Sequence, residues 1–104
     1  MAFNGTEGSD IDPAKAGGWT RNYREANPGK ITAYFAGREI LEQLLGQPGC
    51  MGIRIYYGLD SGIPKLVAVG ADAEENDQLG DGCIVVDELT GCPTACSQSN
   101  VLNS

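Results

Sequence analysis

Four cysteines carry most of the chemistry that this sequence offers, because it contains no histidine. Cys92 and Cys96 form a close pair that encloses Pro93, whereas Cys50 and Cys83 stand at the edges of apolar runs. Thiols stay reduced, pair as disulfides or bind a metal ion. A Cys92–Cys96 disulfide would close a small loop around Pro93, and a Cys50–Cys83 disulfide would join two predicted strands. Reduced thiols are the competing interpretation.

Metal binding and redox catalysis each require a particular cysteine spacing, and this sequence has it only in part. Structural zinc sites usually present two close cysteine pairs, and only Cys92 and Cys96 are close here, so a zinc site that also recruits Cys50 and Cys83 is an alternative interpretation. A thioredoxin-type dithiol needs C-x-x-C at a helix N-terminus. Three residues separate Cys92 from Cys96. We therefore expect neither a catalytic dithiol nor a resident metal.

Other catalytic sets are missing from the sequence. Without histidine there is no Ser-His or Cys-His pair, and neither a G-x-S-x-G elbow nor a glycine-rich phosphate loop follows a predicted strand. The acidic loop (residues 71–82) departs from the EF-hand pattern, because Asp77 stands where glycine is needed and Cys83 where glutamate is needed. The sequence predicts no catalytic residue and no cofactor.

The net charge of −7 belongs to the C-terminal part of the chain. All seven basic residues lie at or before Lys65, and half of the 14 acidic residues follow it: Asp72, Glu74, Glu75, Asp77, Asp81, Asp87 and Glu88. Such a surface repels nucleic-acid phosphates and anionic lipids. A protein partner or a second copy of the chain is therefore the expected class of partner, and a basic protein would be steered toward these acids.

The sequence shows no feature of a membrane or secreted protein. No stretch approaches the length of an apolar membrane span, and residues 1–10 lack the basic and apolar regions of a secretory signal. We expect a cytoplasmic protein without membrane insertion, and a reducing compartment favours free thiols.

Two helices are predicted in the first half of the chain. The first starts at the Asp12-Pro13 cap, is weakened by Gly17-Gly18, and is strongest over residues 19–26. Apolar residues at helical spacing predict a second helix from Thr32 or Ala33 to Leu45. Gly46 suits the left-handed residue that commonly follows a helix.

Strands are predicted in the second half. Residues 51–57 alternate apolar and polar side chains, which is typical of a half-buried strand. A turn over residues 59–64 leads into a second strand at residues 65–69, and the acidic loop leads to a third at residues 83–87. Connections this short favour antiparallel pairing. The expected fold class is α+β, with two helices packed on a three-stranded antiparallel meander.

A chain of 104 residues suits one domain. We place that domain at residues 12–96, between a flexible N-terminal segment (residues 1–11) and a flexible tail (residues 97–104). Six aromatic residues could line a pocket, and core packing explains most of them equally well: Trp19, Tyr23, Tyr34, Phe35, Tyr56 and Tyr57. Tyr56 should face away from its neighbours in the strand, and beside Arg54 it forms a candidate contact surface.

From Trp19 to Cys96 the chain resembles a group of short bacterial proteins. The resemblance rests on Trp19-Thr20, Asn22-Tyr23-Arg24, Asn27-Pro28-Gly29, Gly37-Arg38-Glu39-Ile40-Leu41, Gln47-Pro48-Gly49-Cys50, Gly52-Ile53-Arg54, Tyr56-Tyr57-Gly58 and a C-terminal Cys-Pro-x-x-Cys close at residues 92–96. Cys83 is not among these motifs, which weighs against a four-thiolate metal site. The group has no known activity, so the resemblance implies no catalytic residue.

These observations favour a small non-enzymatic binding or structural module, such as one component of a larger protein assembly. A thiol-based metal-binding or redox protein that uses Cys92 and Cys96 is the alternative hypothesis. An enzyme that uses Arg38 and Arg54 with acidic side chains has no local support in the sequence.

Overall fold

The computed structural model describes residues 2–104, and in these residues the chain forms two helices and five strands. In chain order they are α1 (Pro13–Ala26), β1 (Ala33–Phe35), α2 (Arg38–Leu45), β2 (Cys50–Asp60), β3 (Ile63–Asp72), β4 (Val85–Val86) and β5 (Thr90–Cys92). Strands β2, β3 and β4 form an antiparallel sheet in that order, and β1 pairs with β5 in a separate antiparallel sheet. The predicted α+β class and three-stranded meander are confirmed. The two-stranded sheet was not predicted.

The chain divides into two compact units. Unit 1 contains the described residues up to Glu7 together with Ala36–Leu89, and so holds α2 and the three-stranded sheet. Unit 2 contains Gly8–Phe35 and Thr90–Ser104, and so holds α1 and the two-stranded sheet. Within unit 1, α2 packs against β2 and β3.

The core of unit 1 lies where α2 meets the sheet. Leu44 of α2 is completely buried and packs with Ala68 of β3 and Val86 of β4. Partly buried side chains complete this cluster: Ile40, Ile53, Ile84 and Leu89. Full burial of a side chain such as that of Leu44 stabilises the fold by about 1.5–3 kcal/mol. The apolar stripe of α2 therefore fixes the helix on one end of the sheet.

The predicted start of the second helix is wrong. The helix begins at Arg38, because Ala33–Phe35 is instead the strand β1, in which Ala33 pairs with Cys92 and Phe35 with Thr90. Pairing with a distant strand overrides the local helical spacing, and aromatic residues fit a strand well. The prediction that Gly46 takes the left-handed conformation after this helix is also wrong, because its φ is −79°. The left-handed φ occurs three residues later, at Gly49, where it is +79°.

The predicted cap of the first helix is confirmed. Asp12 is the N-cap and accepts a hydrogen bond from the Lys15 backbone N–H at 3.2 Å, and Pro13 opens the helix. The helix is longer than the strong segment predicted at residues 19–26, because it runs through Gly17. Gly17 is buried against the C-terminal segment of unit 2, so packing compensates for its poor helix propensity.

The C-terminal residues 97–104 make specific contacts with α1 in unit 2. Arg24 donates from Nη1 to the Leu102 carbonyl at 2.6 Å and from Nη2 to the Ser104 carbonyl at 2.7 Å. A basic side chain in the last turn of α1 thus binds two backbone acceptors of this segment.

The β2–β3 hairpin is longer than the sequence predicted. Its strands run to Asp60 and restart at Ile63, with a two-residue turn at Ser61-Gly62. Both turn residues have positive φ, 50° and 84°, which matches the right-handed twist of hairpin strands. The third predicted strand, residues 83–87, is shorter than expected, because only Val85–Val86 pairs with β3.

Candidate interaction surface and cysteine sites

Two predicted contact residues of β2 share one carboxylate of the acidic loop. Strand alternation places Arg54 and Tyr56 on the same face of the sheet. Asp77, which forms an antiparallel bridge with Ala71, reaches both of them. Arg54 Nη1 lies 2.5 Å from Asp77 Oδ1, and Tyr56 Oη donates to Asp77 Oδ2 at 2.5 Å. The sequence predicted the first two residues of this cluster and missed the third.

A turn built around Asp72 brings Asp77 into position. Asp72 Oδ1 accepts hydrogen bonds from the backbone N–H groups of Glu74 and Asn76, at 2.9 and 3.0 Å. The Asp72 N–H donates to the Asn76 carbonyl, and Glu75 adopts a left-handed φ of 71°. Arg54 Nη1 also donates to the Glu75 carbonyl at 3.1 Å. The acidic loop is therefore folded on its own backbone and held to β2.

Arg54, Tyr56 and Asp77 keep their ordinary protonation states at neutral pH. The hydrogen bond from Tyr56, followed by that from Arg54, lowers the pKa of Asp77. The hydrogen bond to Asp77 is in turn the main cause that raises the pKa of Tyr56 and the pKa of Arg54. A general acid or base needs a pKa near the operating pH. These shifts move all three groups away from neutrality, so the cluster suits positioning and binding.

A cleft of about 380 Å³ lies beside this cluster in unit 1. Its lining consists of Phe3, Gly5, Glu7, Met51, Gly52, Ile53, Arg54 and Ala71. The Arg54 guanidinium lies over the Phe3 ring, 5.4 Å from the ring centre, and the Phe3 N–H donates to the Ala73 carbonyl at 2.9 Å. The Glu7 carboxylate accepts from the backbone N–H groups of Asn4 and Gly5, both at 3.0 Å, which lowers the pKa of Glu7. The polar groups of the cleft are thus bound to the protein itself.

The structure brings Cys92 and Cys96 into a disulfide, with their Cα atoms 5.0 Å apart. Cys92 ends β5, and its carbonyl accepts a hydrogen bond from the Thr32 N–H at 2.8 Å. The disulfide therefore closes the turn that follows the two-stranded sheet. Of the two states that the sequence left open for this pair, the structure has the disulfide.

Cys50 and Cys83 are both free and half-buried. The alternative of a Cys50–Cys83 disulfide is therefore wrong, and Cys50 Sγ instead donates to the Gly52 carbonyl at 3.2 Å. Across residues 2–104, no group of three or more cysteine, aspartate or glutamate side chains is placed to hold a metal ion.

An exposed apolar face on the distal half of the β2–β3 hairpin was missed by sequence reasoning. Ile55, Tyr57 and Leu59 lie on one face of β2 and are 55%, 94% and 77% exposed. Their partners on β3 are Ala68, Leu66 and Pro64. We call Ile55, Tyr57 and Leu59 the hairpin face. It continues the face that α2 covers at Ile53.

Element lengths explain why the hairpin face is uncovered. The eight residues of α2 span about 12 Å at 1.5 Å per residue, whereas the 11 residues of β2 span about 36 Å. The helix therefore covers only one end of the strand. The sequence did carry a signal, because the alternation of apolar residues continues past Tyr57 to Leu59.

Strand β2 also lies at an edge of its sheet. Natural proteins usually protect such edges with lysine, proline or a β-bulge. β2 contains neither lysine nor proline, and the irregular register of the β2–β3 pair is confined to the Cys50/Gly52 end. In the described part of the chain, the distal half of β2 (residues 55–60) thus combines a backbone edge that lacks lysine, proline and a bulge with the hairpin face.

Core packing, one of the two interpretations of the aromatic residues, is wrong for most of them. Trp19, Tyr23, Phe35 and Tyr57 are all exposed, and Tyr34 alone of the six is half-buried. Tyr56, expected to face away from its strand neighbours, is 46% exposed. At the surface of α1, the Lys15 ammonium lies 5.6 Å from the centre of the Trp19 ring.

Comparisons with known proteins add no relative. No family model, curated protein or solved structure matches the chain. The resemblance to short bacterial proteins therefore stays a prediction. Neither helix in the described part of the chain is long and apolar enough to cross a membrane.

Proposed function

We propose that this chain is a non-enzymatic binding module that recognises another protein through the hairpin face and the adjoining edge of β2. The observation that carries the proposal is the row of exposed apolar side chains at Ile55, Tyr57 and Leu59. Contiguous exposed apolar patches commonly mark interaction sites, and tyrosine is enriched in interfaces. An edge strand adds backbone donors and acceptors that an incoming strand can satisfy.

The polar cluster on the opposite face supports binding rather than catalysis. Arg54, Tyr56 and Asp77 are held in their ordinary charge states at neutral pH by their own hydrogen bonds. They also tie the acidic loop to β2, which keeps the strand ordered before a partner arrives. A preordered strand loses less conformational entropy on binding.

The proposal is tested by a photo-crosslinking phenylalanine analogue placed at Tyr57 in cells of the native host. The matched control carries the same analogue at Tyr23, another exposed tyrosine, which lies in α1. We expect covalent protein adducts from position 57 and none from position 23. Adducts at neither position, or equally at both, would overturn the proposal.

A thiol-based function is the second candidate, and the Cys92–Cys96 disulfide is the observation that favours it. We propose for this case that Cys92 and Cys96 exchange with an external thiol–disulfide couple, which takes up two electrons and two protons when the pair is oxidised and returns them when it is reduced, or that the reduced pair binds zinc. The tests are a titration of the pair in thiol buffers and a zinc assay on reduced protein purified without chelator. Absence of zinc, together with an unchanged cellular phenotype in the Cys92→Ser/Cys96→Ser variant, would remove this candidate.

A further inference from the structure

We infer that the partner of the hairpin is a second copy of this chain, whose β2 adds antiparallel to the β2 edge of the first. The inference rests on the proposed function and names the partner of the same surface. An antiparallel pair of identical strands has two-fold symmetry, so one patch serves both copies. The product is a continuous six-stranded sheet in which the hairpin faces of the two copies adjoin.

The alternation of β2 restricts the possible registers. A shift of one residue places the apolar face of one strand beside the polar face of the other. The apolar side chains of both copies share one face of the combined sheet only when Ile55, Tyr57 and Leu59 pair with odd-numbered residues of the other copy's β2. The two-fold axis must therefore pass through a residue and not between two residues.

Charge complementarity selects among the remaining registers. Arg54 and Asp60 are the only charged residues of β2. An axis through Tyr57 places Arg54 of each copy opposite Asp60 of the other, and Ile55 opposite Leu59. An axis through Tyr56 places the same two charges opposite Gly58 and Gly52. Arg54 Nη1 already binds Asp77 of its own copy, so Asp60 of the other copy would be a second carboxylate on the same guanidinium, which carries five N–H donors. Opposite charges facing each other stabilise a strand pair, so we assign the axis to Tyr57.

The location of the net charge permits this pairing. Each copy carries a charge of −7, which opposes self-association. Asp60 is the only acid in β2. Of the acids that follow Lys65, Asp77 reaches β2, and there it is paired with Arg54 of its own copy. Repulsion is therefore weakest along the distal edge of β2.

Disulfide trapping in the purified full chain tests the register. In the Tyr57→Cys variant the two new cysteines face each other, within the Cα separation of about 4.4–6.8 Å that a disulfide needs. The matched control is Leu59→Cys, on the same exposed face. With the axis at Tyr57, position 59 of one copy lies opposite position 55 of the other. The two cysteines at position 59 are therefore four residues apart along the strands, about 13 Å. We expect a covalent dimer linked at position 57, identified by peptide mass spectrometry, and none linked at position 59.

A charge substitution tests the pair at Arg54 and Asp60. Asp60→Lys places a lysine opposite Arg54 of the other copy, and we expect the dimer dissociation constant from sedimentation equilibrium to rise at least tenfold. The control Asp81→Lys makes the same change in net charge at another exposed aspartate. Because it only reduces the overall repulsion, it should leave the dissociation constant unchanged or lower it.

The outcomes separate this inference from the proposed function. A purified chain that is monomeric at all concentrations, or a position-59 link without a position-57 link, overturns the inference. If Tyr57 then still crosslinks to a different protein in cells, the proposed function stands with another partner. If neither a dimer nor a cellular adduct forms, both are overturned.

Discussion

A β-carbon added to Gly17 would stand 2.5 Å from the backbone carbonyl oxygen of Val101 and 2.8 Å from Val101 Cγ2. No real side chain tolerates the first of these distances. Gly17 therefore allows the C-terminal segment to lie directly on α1 within unit 2. This contact compensates for a glycine in a helix interior, which costs about 1 kcal/mol relative to alanine.

Replacing Gly17 by alanine should destabilise the protein although alanine is the better helix former. The added methyl group must displace the backbone at Val101, and overpacking of this kind costs about 1–3 kcal/mol. The free energy of unfolding in urea measures the effect. The control is Gly18→Ala, where no atom lies within 4 Å of the added carbon, and a gain of about 0.5–1 kcal/mol is expected. Equal gains at both glycines would contradict the packing at Val101.

The buried side chain of Gln47 connects three segments of unit 1. Its Nε2 donates to Gln78 Oε1 at 3.1 Å, and its Oε1 accepts from the Ile84 backbone N–H at 2.9 Å. Gly70 makes room for this pair, because a β-carbon there would lie 2.6 Å from Gln78 Oε1. Gln47 thus ties the end of α2 to the acidic loop and to the chain before β4.

The Gln47→Leu variant should lose about 1–3 kcal/mol of unfolding free energy, because the Ile84 N–H loses its acceptor in a partly buried site. Thermal or urea unfolding measures the loss. Gln43→Leu makes the same change on the exposed side of α2, where an effect within about 0.5 kcal/mol is expected. If the two variants were equally stable, the Gln47 hydrogen bonds would contribute nothing.

The features that sequence predicted well are those with local causes. The Asp12 cap needs only a side-chain oxygen followed by proline. The β2–β3 pairing was predicted from alternation in the first strand and from a short turn at residues 59–64, which the structure narrows to Ser61-Gly62. Arg54 and Tyr56 share a face because they are two residues apart in one strand. Each of these relationships is contained within a few neighbouring residues.

The features that sequence missed depend on distant residues. Strand β1 exists because Ala33 pairs with Cys92, and no local pattern encodes that pairing. Asp77 joins Arg54 and Tyr56 only after the acidic loop has folded on Asp72. The exposure of Tyr57 depends on α2 being too short to reach it. Sequence spacing alone does not measure such three-dimensional distances.

Removing the Tyr56 hydroxyl should raise the pKa of Asp77. The hydrogen bond from this hydroxyl is the largest cause that lowers it, so in Tyr56→Phe the pKa should move back toward the ordinary value of 3.8. Carboxyl titration by NMR measures the change. Tyr57→Phe, which removes an exposed hydroxyl from the other face of the strand, is the matched control and should leave the Asp77 titration unchanged. A Tyr56→Phe titration identical to the wild type would contradict the shared carboxylate.

The same cluster predicts how stability depends on acid. Because folding lowers the pKa of Asp77, its contribution to stability is present above the unfolded-state value near 3.8 and is lost as the pH falls through the lower folded-state pKa. Asp77→Asn should therefore be less stable than the wild type at pH 7, with the difference shrinking below pH 3.8. Urea unfolding across this range measures it. A difference that stays constant with pH would show that the Asp77 charge is not involved.

The Cys92–Cys96 disulfide should stabilise unit 2 through the short loop that it closes. Because the loop contains only the three residues between the cysteines, the loss of unfolded-state entropy is small, and the expected contribution is about 2 kcal/mol. Addition of a reductant should lower the wild-type unfolding free energy in urea by this amount, whereas the Cys92→Ser/Cys96→Ser variant should start lower and not respond. The Cys50→Ser/Cys83→Ser variant removes the two free thiols and should retain the full wild-type response. If the reductant leaves four free thiols in the wild-type protein but does not change its unfolding free energy, this bond contributes no stability.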